Sequence, residues 1–567
     1  MSLWELIAVA RGGVPADLLL TNANVINTFT AEIERSNVAI FGGRIAGIGD
    51  YQVGKEIINL EGKYLSPALI DGHVHPESSM LHIRGYAEAV VPRGISAIVT
   101  DFHEIANVRG LRGVRYMLNC AKPLPLDVYL MVPSCVPSTD LETPGARLGP
   151  RDIKSALSWE NSIGLGEVMN FPRVLTADEL ILHKILFASE KLIDGHAPGL
   201  RGKDLNAYIA CGIRSDHECT SLDEAKEKIN RGMYVMIREG SSENNLSELL
   251  PLVNDKTYKR CIFVVDDRTC DDLVNEGDVD AVVRKAIKLG LDPIRAIQLA
   301  TINPAEYFRF RGLGAISPGY FANLAVVSDL ASFEVEKVFY HGELVAENGQ
   351  PLFPPTVRVD NEDITHTMNI KDFDIESLRL PAYTGESVTI EIIPDQIITK
   401  RVEKRVKVKD GLVQPDIDQD ILKLVVIERH KSTGNISVGL VTGFGLKMGA
   451  LGSSFAHDSH NIIVVGTNNQ DIYITVKEIE RLQGGLVVTA NGEIRGALPL
   501  PVAGLMSNEQ PQTVVNKLEK LKMLARELGC KPSHPFATLS LLSLPVVPEL
   551  RLTDRGLVDV IDFTLIN

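Results

Sequence analysis

Eight short apolar runs, each ending in polar or charged residues, recur between about residues 66 and 304, and a segment able to form a helix follows each run. In chain order the runs are SPALIDGHVH, ISAIVTDFHE, DVYLMVPS, IGLGEVMN, KLIDGH, GIRSDHE, YVMIREG and CIFVVDD. One following segment, DVDAVVRKAIKLG, repeats apolar residues at helical spacing and closes with Gly290, a residue suited to a C-cap. Eight strand–helix units over roughly 235 residues predict a (β/α)8 TIM-type barrel of the α/β class.

Short β-branched runs lie on both sides of this segment. DLLLTNANVIN, SNVAIFGG and RIAGIGD precede it, and FANLAVVSDL and FEVEKVFYHGELV follow it. Short strands separated by a long insertion often complete one sheet. We therefore expect residues 1–65 and 305–365 to form one discontinuous β-sandwich domain, with the barrel occupying 66–304.

The barrel pattern stops before about residue 380, and a different unit follows. It contains strands such as SVTIEIIP and DILKLVVIER and two well-marked helices. In PQTVVNKLEKLKMLARELG the apolar residues Val514, Leu518 and Leu521 recur at the spacing of a buried helix face. Residues 380–567 are therefore predicted to form a C-terminal α+β domain, with 366–380 as a linker.

Charge and cysteine content narrow the possible partners. Lys and Arg total 58 against 73 Asp and Glu, and the net charge of −15 repels phosphate backbones and anionic lipid. The seven cysteines include no CxxC pair, no apolar run approaches the roughly 18 residues of a membrane span, and Glu5 interrupts the N-terminal apolar stretch. We expect a soluble cytoplasmic protein with neither nucleic acid nor membrane as partner.

Asp71, His73 and His75 alternate at the end of the first run. If 66–75 is one strand, these side chains share a face, with Cα atoms about 6.6 Å apart, and the two imidazoles can converge on one ion. An HxH pair alone is weak evidence, because two surface histidines at this spacing arise by chance.

Other strand ends carry further metal-ligating side chains. Glu167, His196, His217 and Asp266 follow the fourth, fifth, sixth and eighth runs. Singly, each has an ordinary structural explanation: a solvated carboxylate, a hydrogen-bonded core histidine, or a helix N-cap at Asp266 or Asp267. Together with the HxH pair they place six donors at one end of the barrel and predict a metal centre.

The size and chemistry of this donor set favour two divalent ions. Imidazoles with carboxylates suit zinc, manganese or iron, and six donors are generous for one ion. Two ions need a bridging anion, which Glu167 could supply. Such a centre converts water to hydroxide near neutral pH, and this is hydrolytic chemistry.

Several of these segments resemble a known family. SPALIDGHVHPESSM, TDFHEIANV, GEVMN, DGHAPGL, SDHE and VVDDRT resemble the amidohydrolase superfamily and, within it, the adenine deaminases. TINPAEYF and GLGAISPGYFANLAVV are similar to the superfamily's composite β domain, while VTGFGLKMGALGSSFAHDSHNIIVVG and GALPLPVAGLMS resemble the C-terminal domain of adenine deaminases. The resemblance covers nearly the whole chain.

The resemblance implies a role for each metal-ligating residue. One ion would be bound by His73, His75 and Asp266, and the other by His196 and His217. Glu167 would bridge them in the place where many members of the superfamily use a carboxylated lysine. The family also implies Mn²⁺ or Fe²⁺ and a homo-oligomer, while ligation by histidine and carboxylate would also accept Zn²⁺.

The implied reaction is hydrolysis of adenine to hypoxanthine and ammonia in purine salvage. Asp266 or the adjacent Asp267 would carry a proton from the attacking water to the leaving amine, and we prefer Asp266 because the pattern places it at the strand end. Glu77 or His103 would serve the purine ring. The candidates for substrate contact are Glu77, Asp101, Glu104, His457, Asp458 and His460. Each also has a structural explanation. Glu77, Asp101 and Glu104 could cap the first βα loops, and the AHDSHN stretch, which contains the other three residues, could stabilise a turn in its own domain.

Two other functions fit part of the pattern. A cyclic-amide hydrolase of the dihydroorotase or hydantoinase kind would use the same metal centre, although the C-terminal resemblance argues against it. A non-catalytic scaffold could keep the barrel and lose its ligands, yet every ligand position is filled here.

Overall fold

Each of the eight predicted runs forms a strand in the computed structural model, which describes residues 2–354, 361–383, 385–394 and 396–566. All neighbours in this set pair in parallel, the first five strands in one sheet and the last three in another. The strands are Leu69–Asp71, Ile95–Thr100, Asp127–Pro133, Ser162–Val168, Leu192–Gly195, Ser215–Asp216, Tyr234–Arg238 and Cys261–Val264.

Backbone hydrogen bonds connect the two parallel sheets at both of their edges. Between the fifth and sixth strands, the N–H of Arg214 donates to the carbonyl of Ile193 at 3.0 Å. Beyond the first and eighth strands, the N–H of Asp266 donates to His73 at 3.0 Å, and the N–H of His75 donates to Asp266 at 3.2 Å. The carboxyl ends of the first and last strands therefore lie side by side.

Both faces of the parallel strands are buried, as expected when helices cover such sheets. Helices follow the strands along the chain. Among the described helices, none combines the length and hydropathy needed to cross a membrane. The α-helices are Ile83–Val90, His103–Ala121, Pro150–Ala156, Phe171–Leu175, Glu179–Phe187, Gly202–Ala210, Leu222–Asn230, Leu246–Leu249, Cys270–Asn275, Val279–Lys288, Pro293–Leu299 and Ile302–Tyr307, and the 3-10 helices are Pro76–Ser79, Val91–Arg93, Leu250–Leu252 and Tyr258–Arg260.

The C-cap predicted at Gly290 is confirmed. The helix ends at Lys288, and Gly290 adopts a φ of +99° that side chains with a Cβ disfavour. The N–H of Leu291 then donates to the carbonyl of Ala286 at 3.0 Å and closes the last turn.

The runs on either side of the parallel segment join one nine-stranded sheet. The junction is the antiparallel pairing of Tyr64–Pro67 with Leu324–Val327. The predicted segment 305–365 includes residues 355–360, which lie outside the described residues. The other strands are Ala16–Asn27, Glu32–Phe41, Arg44–Gly49, Gly54–Asn59, Val335–Tyr340, Glu343–Glu347 and Gln350–Pro351, with helices Leu3–Ala10 and Glu362–Thr365 in the same flanking segments.

The prediction of a single strand over 66–75 is wrong. Tyr64–Pro67 belongs to the nine-stranded sheet, whereas Leu69–Asp71 belongs to the parallel set. The strand Leu69–Asp71 ends there because the carboxylate of Asp71 accepts the backbone N–H of His73 at 2.9 Å. This local turn competes with strand pairing.

The C-terminal part of the chain forms an eight-stranded sheet with two long helices and smaller elements. The helix Pro511–Glu527 buries Val514, Leu518 and Leu521, as the spacing predicts. The strands of the large sheet are Glu386–Ile392, Thr399–Arg405, Leu422–Ile427, Ile436–Thr442, Ala450–Ser453, Ile462–Gly466, Gly485–Ala490 and Glu493–Pro499. The second long helix is Asn469–Leu482. The smaller elements are strands Lys407–Lys409, Leu412–Gln414, Leu550–Thr553, Gly556–Asp559 and Thr564–Ile566, the helix Pro535–Leu541 and the 3-10 turn Ile375–Leu378.

Candidate metal centre

Three buried side chains converge where the first and eighth parallel strands end. His73 Nε2 lies 3.3 Å and His75 Nε2 lies 3.1 Å from Asp266 Oδ1. Asp266 has a φ of +62°, a conformation that aspartate tolerates better than most residues, and its backbone is held by hydrogen bonds with both histidines. The turn after the first strand thus presents both imidazoles to one carboxylate oxygen.

Glu167 stands between this group and a second pair of imidazoles. Its Oε2 lies 2.7 Å from His196 Nδ1 and 2.9 Å from His217 Nε2, while its Oε1 lies 3.5 Å from His75 Nε2. The two carboxylate oxygens therefore face different sides of the cluster, which is the arrangement of a bridging ligand. The His73 and His217 rings stack with centroids 4.1 Å apart and bring the two sides together.

The donor set fits divalent metal ions. The predicted ligands form overlapping groups, His73 with His75 and Asp266, and His73 with Glu167 and His217, whose ligand atoms lie within 4.8 Å of one another. Ligands about 2.1 Å from a shared ion lie roughly 3 Å apart, close to the separations observed here. His73 Nε2 is buried and makes no hydrogen bond among the described residues, so it is free to coordinate.

Asp101 and His103 lie behind His75. Asp101 Oδ1 is 3.3 Å from His75 Nδ1 and 3.0 Å from His103 Nδ1. A carboxylate on the far nitrogen of a ligating imidazole fixes the ring's orientation and tautomer. The geometry therefore gives Asp101 a supporting contact with His75, and its predicted contact with the substrate stays a prediction.

Glu77 and Asp267 are buried beside the same cluster. One oxygen of Glu77 accepts the N–H of Ile105 at 3.4 Å, and the other has no partner in the part of the chain that the structure describes. Burial, together with the negative charge of Glu104, raises the pKa of Glu77 to about 7. Asp267 accepts a hydrogen bond from the Ser78 hydroxyl, whereas Asp266 faces the imidazoles.

The AHDSHN stretch of the C-terminal region reaches Glu104, at the start of the helix that follows the second parallel strand. His457 Nδ1 lies 3.0 Å from Glu104 Oε1, and His460 contacts the other carboxylate oxygen. Asp458 lies behind them, 3.8 Å from His457 Nδ1. Since His103 Nε2 is 3.6 Å from Glu104, polar contacts extend from His75 to the C-terminal sheet.

Glu218 and Arg238 belong to the same cluster, and sequence reasoning missed both. Arg238 contacts Glu218 and also Asp266, while Glu218 lies 3.5 Å from His217 Nε2. The available signal was their position at the polar ends of the SDHE and YVMIREG runs.

A further group, Asp216 with Cys219 and Glu224, has ligand-like spacing but already contains a cation. The buried ammonium of Lys228 lies 3.0 Å from Asp216 and 2.7 Å from Glu224. The ammonium offsets one of the two carboxylate charges and contacts both carboxylates in the way that a bound cation would.

Similarity to known proteins agrees with this site. The model of the amidohydrolase family matches residues 64–345, and that of the adenine deaminase C-terminal domain matches residues 396–564. A protein named adenine deaminase from Dehalococcoides mccartyi is 58% identical over 565 residues, which cover 100% of this chain and 99% of that protein. The chain belongs to the adenine deaminase family.

A second named relative is similar over nearly the whole chain, whereas a solved structure matches only part of it. A protein named adenine deaminase 2 from Carboxydothermus hydrogenoformans is 49% identical, and the match covers 99% of this chain and 98% of that protein. A solved structure described as an adenine deaminase covers 59% of this chain at 18% identity, with a TM-score of 0.46. The six predicted metal ligands lie in the amidohydrolase match, and His457 and His460 lie in the match specific to adenine deaminases.

Replacing Glu167, the carboxylate predicted to bridge two ions, tests the metal centre. We expect Glu167→Gln to lower occupancy at both metal positions, because a neutral amide binds a divalent cation more weakly than a carboxylate. Elemental analysis after dialysis against Mn²⁺ measures the ratio of metal to protein. Glu478→Gln, which alters a buried carboxylate paired with Arg481 in the C-terminal region, is the control. Two ions per chain in Glu167→Gln would refute the bridging assignment.

Proposed function

We propose that this chain hydrolyses adenine to hypoxanthine and ammonia, using two divalent metal ions. The observation that carries the proposal is the position of Glu167, with one oxygen toward His75 and the other toward His196 and His217. A shared carboxylate between two imidazole sets supports a dinuclear site, and membership of the adenine deaminase family supports the substrate.

We also propose that the eight parallel strands close into one (β/α)8 barrel. The backbone hydrogen bonds at both edges of the two sheets support closure. The β-sandwich of 1–65 and 305–365, the barrel of 66–304 and the C-terminal domain of 380–567 are the units of this proposal. The site then lies at the carboxyl ends of the strands, where catalytic residues of such barrels collect.

The metal ions, when bound, supply Lewis acidity that makes water a nucleophile near neutral pH. His73, His75 and Asp266 would hold one ion, His196 and His217 the other, and Glu167 would join them. Imidazole and carboxylate donors accept Mn²⁺ and Fe²⁺, our preferred ions, and also Zn²⁺.

In this proposal, a carboxylate of the protein transfers the proton from the attacking water to the leaving amine. Water adds at C6 of the purine, and the exocyclic amino group must gain one proton before the C6–N bond breaks and ammonia leaves. Asp266 can accept the proton of the attacking water and give it to the amine, because its carboxylate reaches the centre of the donor cluster.

A second proton carrier must serve the purine ring, where a nitrogen gains a proton as C6 becomes tetrahedral. Glu77 suits this role because it is buried, has one oxygen without a partner among the described residues, and has its pKa raised to about 7. His103, held by Asp101, is the alternative carrier.

The C-terminal region contributes side chains close to the proposed purine site. His457 and His460 hold Glu104 from one side while His103 lies on the other. We propose that Glu104 and this histidine pair, with Asp458 behind them, shape the pocket that accepts adenine.

We retain two further expectations as proposals. All seven cysteines lie within the described residues and are free, which supports a reducing cytoplasmic location. We also expect a homo-oligomer.

The decisive assay for the reaction uses metal-depleted protein with added Mn²⁺. The ultraviolet spectrum of adenine should change to that of hypoxanthine, with ammonia released in equal amount. Dihydroorotate and hydantoin are the comparison substrates. If metal-loaded protein cleaved these cyclic amides and left adenine unchanged, the chain would be a cyclic-amide hydrolase instead.

Removing the proposed proton shuttle separates metal binding from turnover. Asp266→Asn should keep its metal, because His73, His75 and the shared Glu167 remain to hold that ion, but it should lose at least about a hundredfold in kcat, because an amide cannot accept the proton. Asp267→Asn should have a smaller effect, since that carboxylate is held by Ser78. Metal content and kcat are measured on the same samples, and an unchanged kcat in Asp266→Asn would mean that another group carries the proton.

A substitution in the C-terminal region tests its part in the pocket. His457→Asn removes a contact with a buried carboxylate and should reduce kcat/KM for adenine by roughly tenfold or more, with metal content unchanged. The exposed His366 provides a matched His366→Asn control. Equal kcat/KM for both variants and the unmodified protein would show that His457 has a structural role only.

A further inference from the structure

Arg238 is a buried cation beside the metal cluster, at the end of the seventh parallel strand. Its side chain is only 5% exposed, and its Nη1 lies 2.8 Å from Asp266 Oδ2. The same guanidinium contacts both oxygens of Glu218, with Nη2 donating to Oε2 at 3.2 Å. Arg238 therefore links the ends of the sixth, seventh and eighth strands.

The two oxygens of Asp266 have different partners. Oδ1 faces the imidazoles of His73 and His75, whereas Oδ2 accepts the hydrogen bond from Arg238. The backbone of Asp266 is already fixed by hydrogen bonds with the same two histidines. The carboxylate can still rotate about its χ2 torsion, because the energy minimum of this torsion is broad for aspartate. The guanidinium removes that freedom.

Glu218 explains why the arginine stays in place. A buried guanidinium without a carboxylate partner would be costly, and arginine's planar set of donors matches a carboxylate with two parallel hydrogen bonds. Glu218 provides this partner and leaves one Nη1 hydrogen bond for Asp266. Its carboxylate lies 3.7 Å from His196 Nδ1 and 3.5 Å from His217 Nε2, but both of its oxygens already accept from Arg238.

We propose that Arg238 is a positioning residue that aims Oδ1 of Asp266 at the reaction centre, and that Glu218 holds Arg238 in the required orientation. This inference rests on the proposed function, in which Asp266 carries the proton. Neither Arg238 nor Glu218 contacts the substrate in this proposal, and neither is a metal ligand. A lysine at position 238 could carry the charge but not both sets of hydrogen bonds.

The kinetic test compares Arg238→Met and Arg238→Lys with Arg284→Met, which breaks a partly buried ion pair with Asp280 away from the cluster. We expect Arg238→Met to keep two ions per chain and a KM within about threefold, while kcat falls about a hundredfold through misplacement of the carboxylate. Arg238→Lys should recover part of the loss, and Arg284→Met should match the unmodified enzyme. An unchanged kcat in Arg238→Met would overturn the proposal.

Two further measurements exclude a merely structural role. Added guanidinium should raise kcat in Arg238→Ala and leave Arg284→Ala unaffected, because only the first variant has space for the ion beside Asp266. Glu218→Gln should lower kcat while retaining two ions per chain. Loss of one ion in Glu218→Gln would identify Glu218 as a metal ligand and overturn its assigned role.

A structural measurement keeps this inference separate from the proposed reaction. In a crystal structure of Arg238→Met, the Asp266 carboxylate should be rotated from its orientation in the unmodified protein, or adopt two orientations. This readout needs no substrate, so it remains informative even if the unmodified protein does not act on adenine. An Asp266 carboxylate that keeps its orientation without Arg238 would refute the positioning role.

Discussion

The carboxylate of Glu167 is the interaction on which the rest of the site depends. Its two oxygens face separate imidazole pairs, and each pair comes from a different part of the parallel set. Four imidazoles within 4 Å of one buried carboxylate require the first, fourth, fifth and sixth strands to end at the same level. The short strands and the backbone hydrogen bonds between the two sheets provide that alignment. The fold can thus be understood as a frame that brings donors from distant parts of the sequence to one carboxylate.

Much of this arrangement could be predicted from the sequence, because parallel strands carry their polar residues at one end. That regularity alone predicts one candidate site that contains His73, His75, Glu167, His196, His217 and Asp266. The prediction of one strand over 66–75 is wrong because the Asp71 carboxylate accepts the backbone N–H of His73 and thereby ends the strand. The alternation of residue types along the sequence does not reveal this local hydrogen bond. Arg238 and Glu218 were missed because their importance comes from contacts between adjacent strand ends, and spacing along one strand contains no such information.

Charge explains why so many buried acids are tolerated near the centre. Carboxylates in an apolar interior must be paired or neutralised. Asp266 and Glu218 share the guanidinium of Arg238, Asp101 lies between two imidazoles, and Glu104 lies between His103 and the C-terminal histidines. Glu77 has weaker compensation, because burial and the charge of Glu104 raise its pKa to about 7 and one of its oxygens has no hydrogen-bond partner among the described residues. A buried acid whose pKa is raised in this way is suited to exchange a proton with a ligand.

The contact of Glu104 with His457 and His460 also has a consequence for biosynthesis. A ribosome completes the parallel strands and their helices long before it reaches residue 457. Until then, the newly made N-terminal part carries a carboxylate that has His103 beside it but lacks its two C-terminal partners. The C-terminal region therefore supplies charge compensation, and the surroundings of Glu104 can reach their final form only after residue 460 has been made.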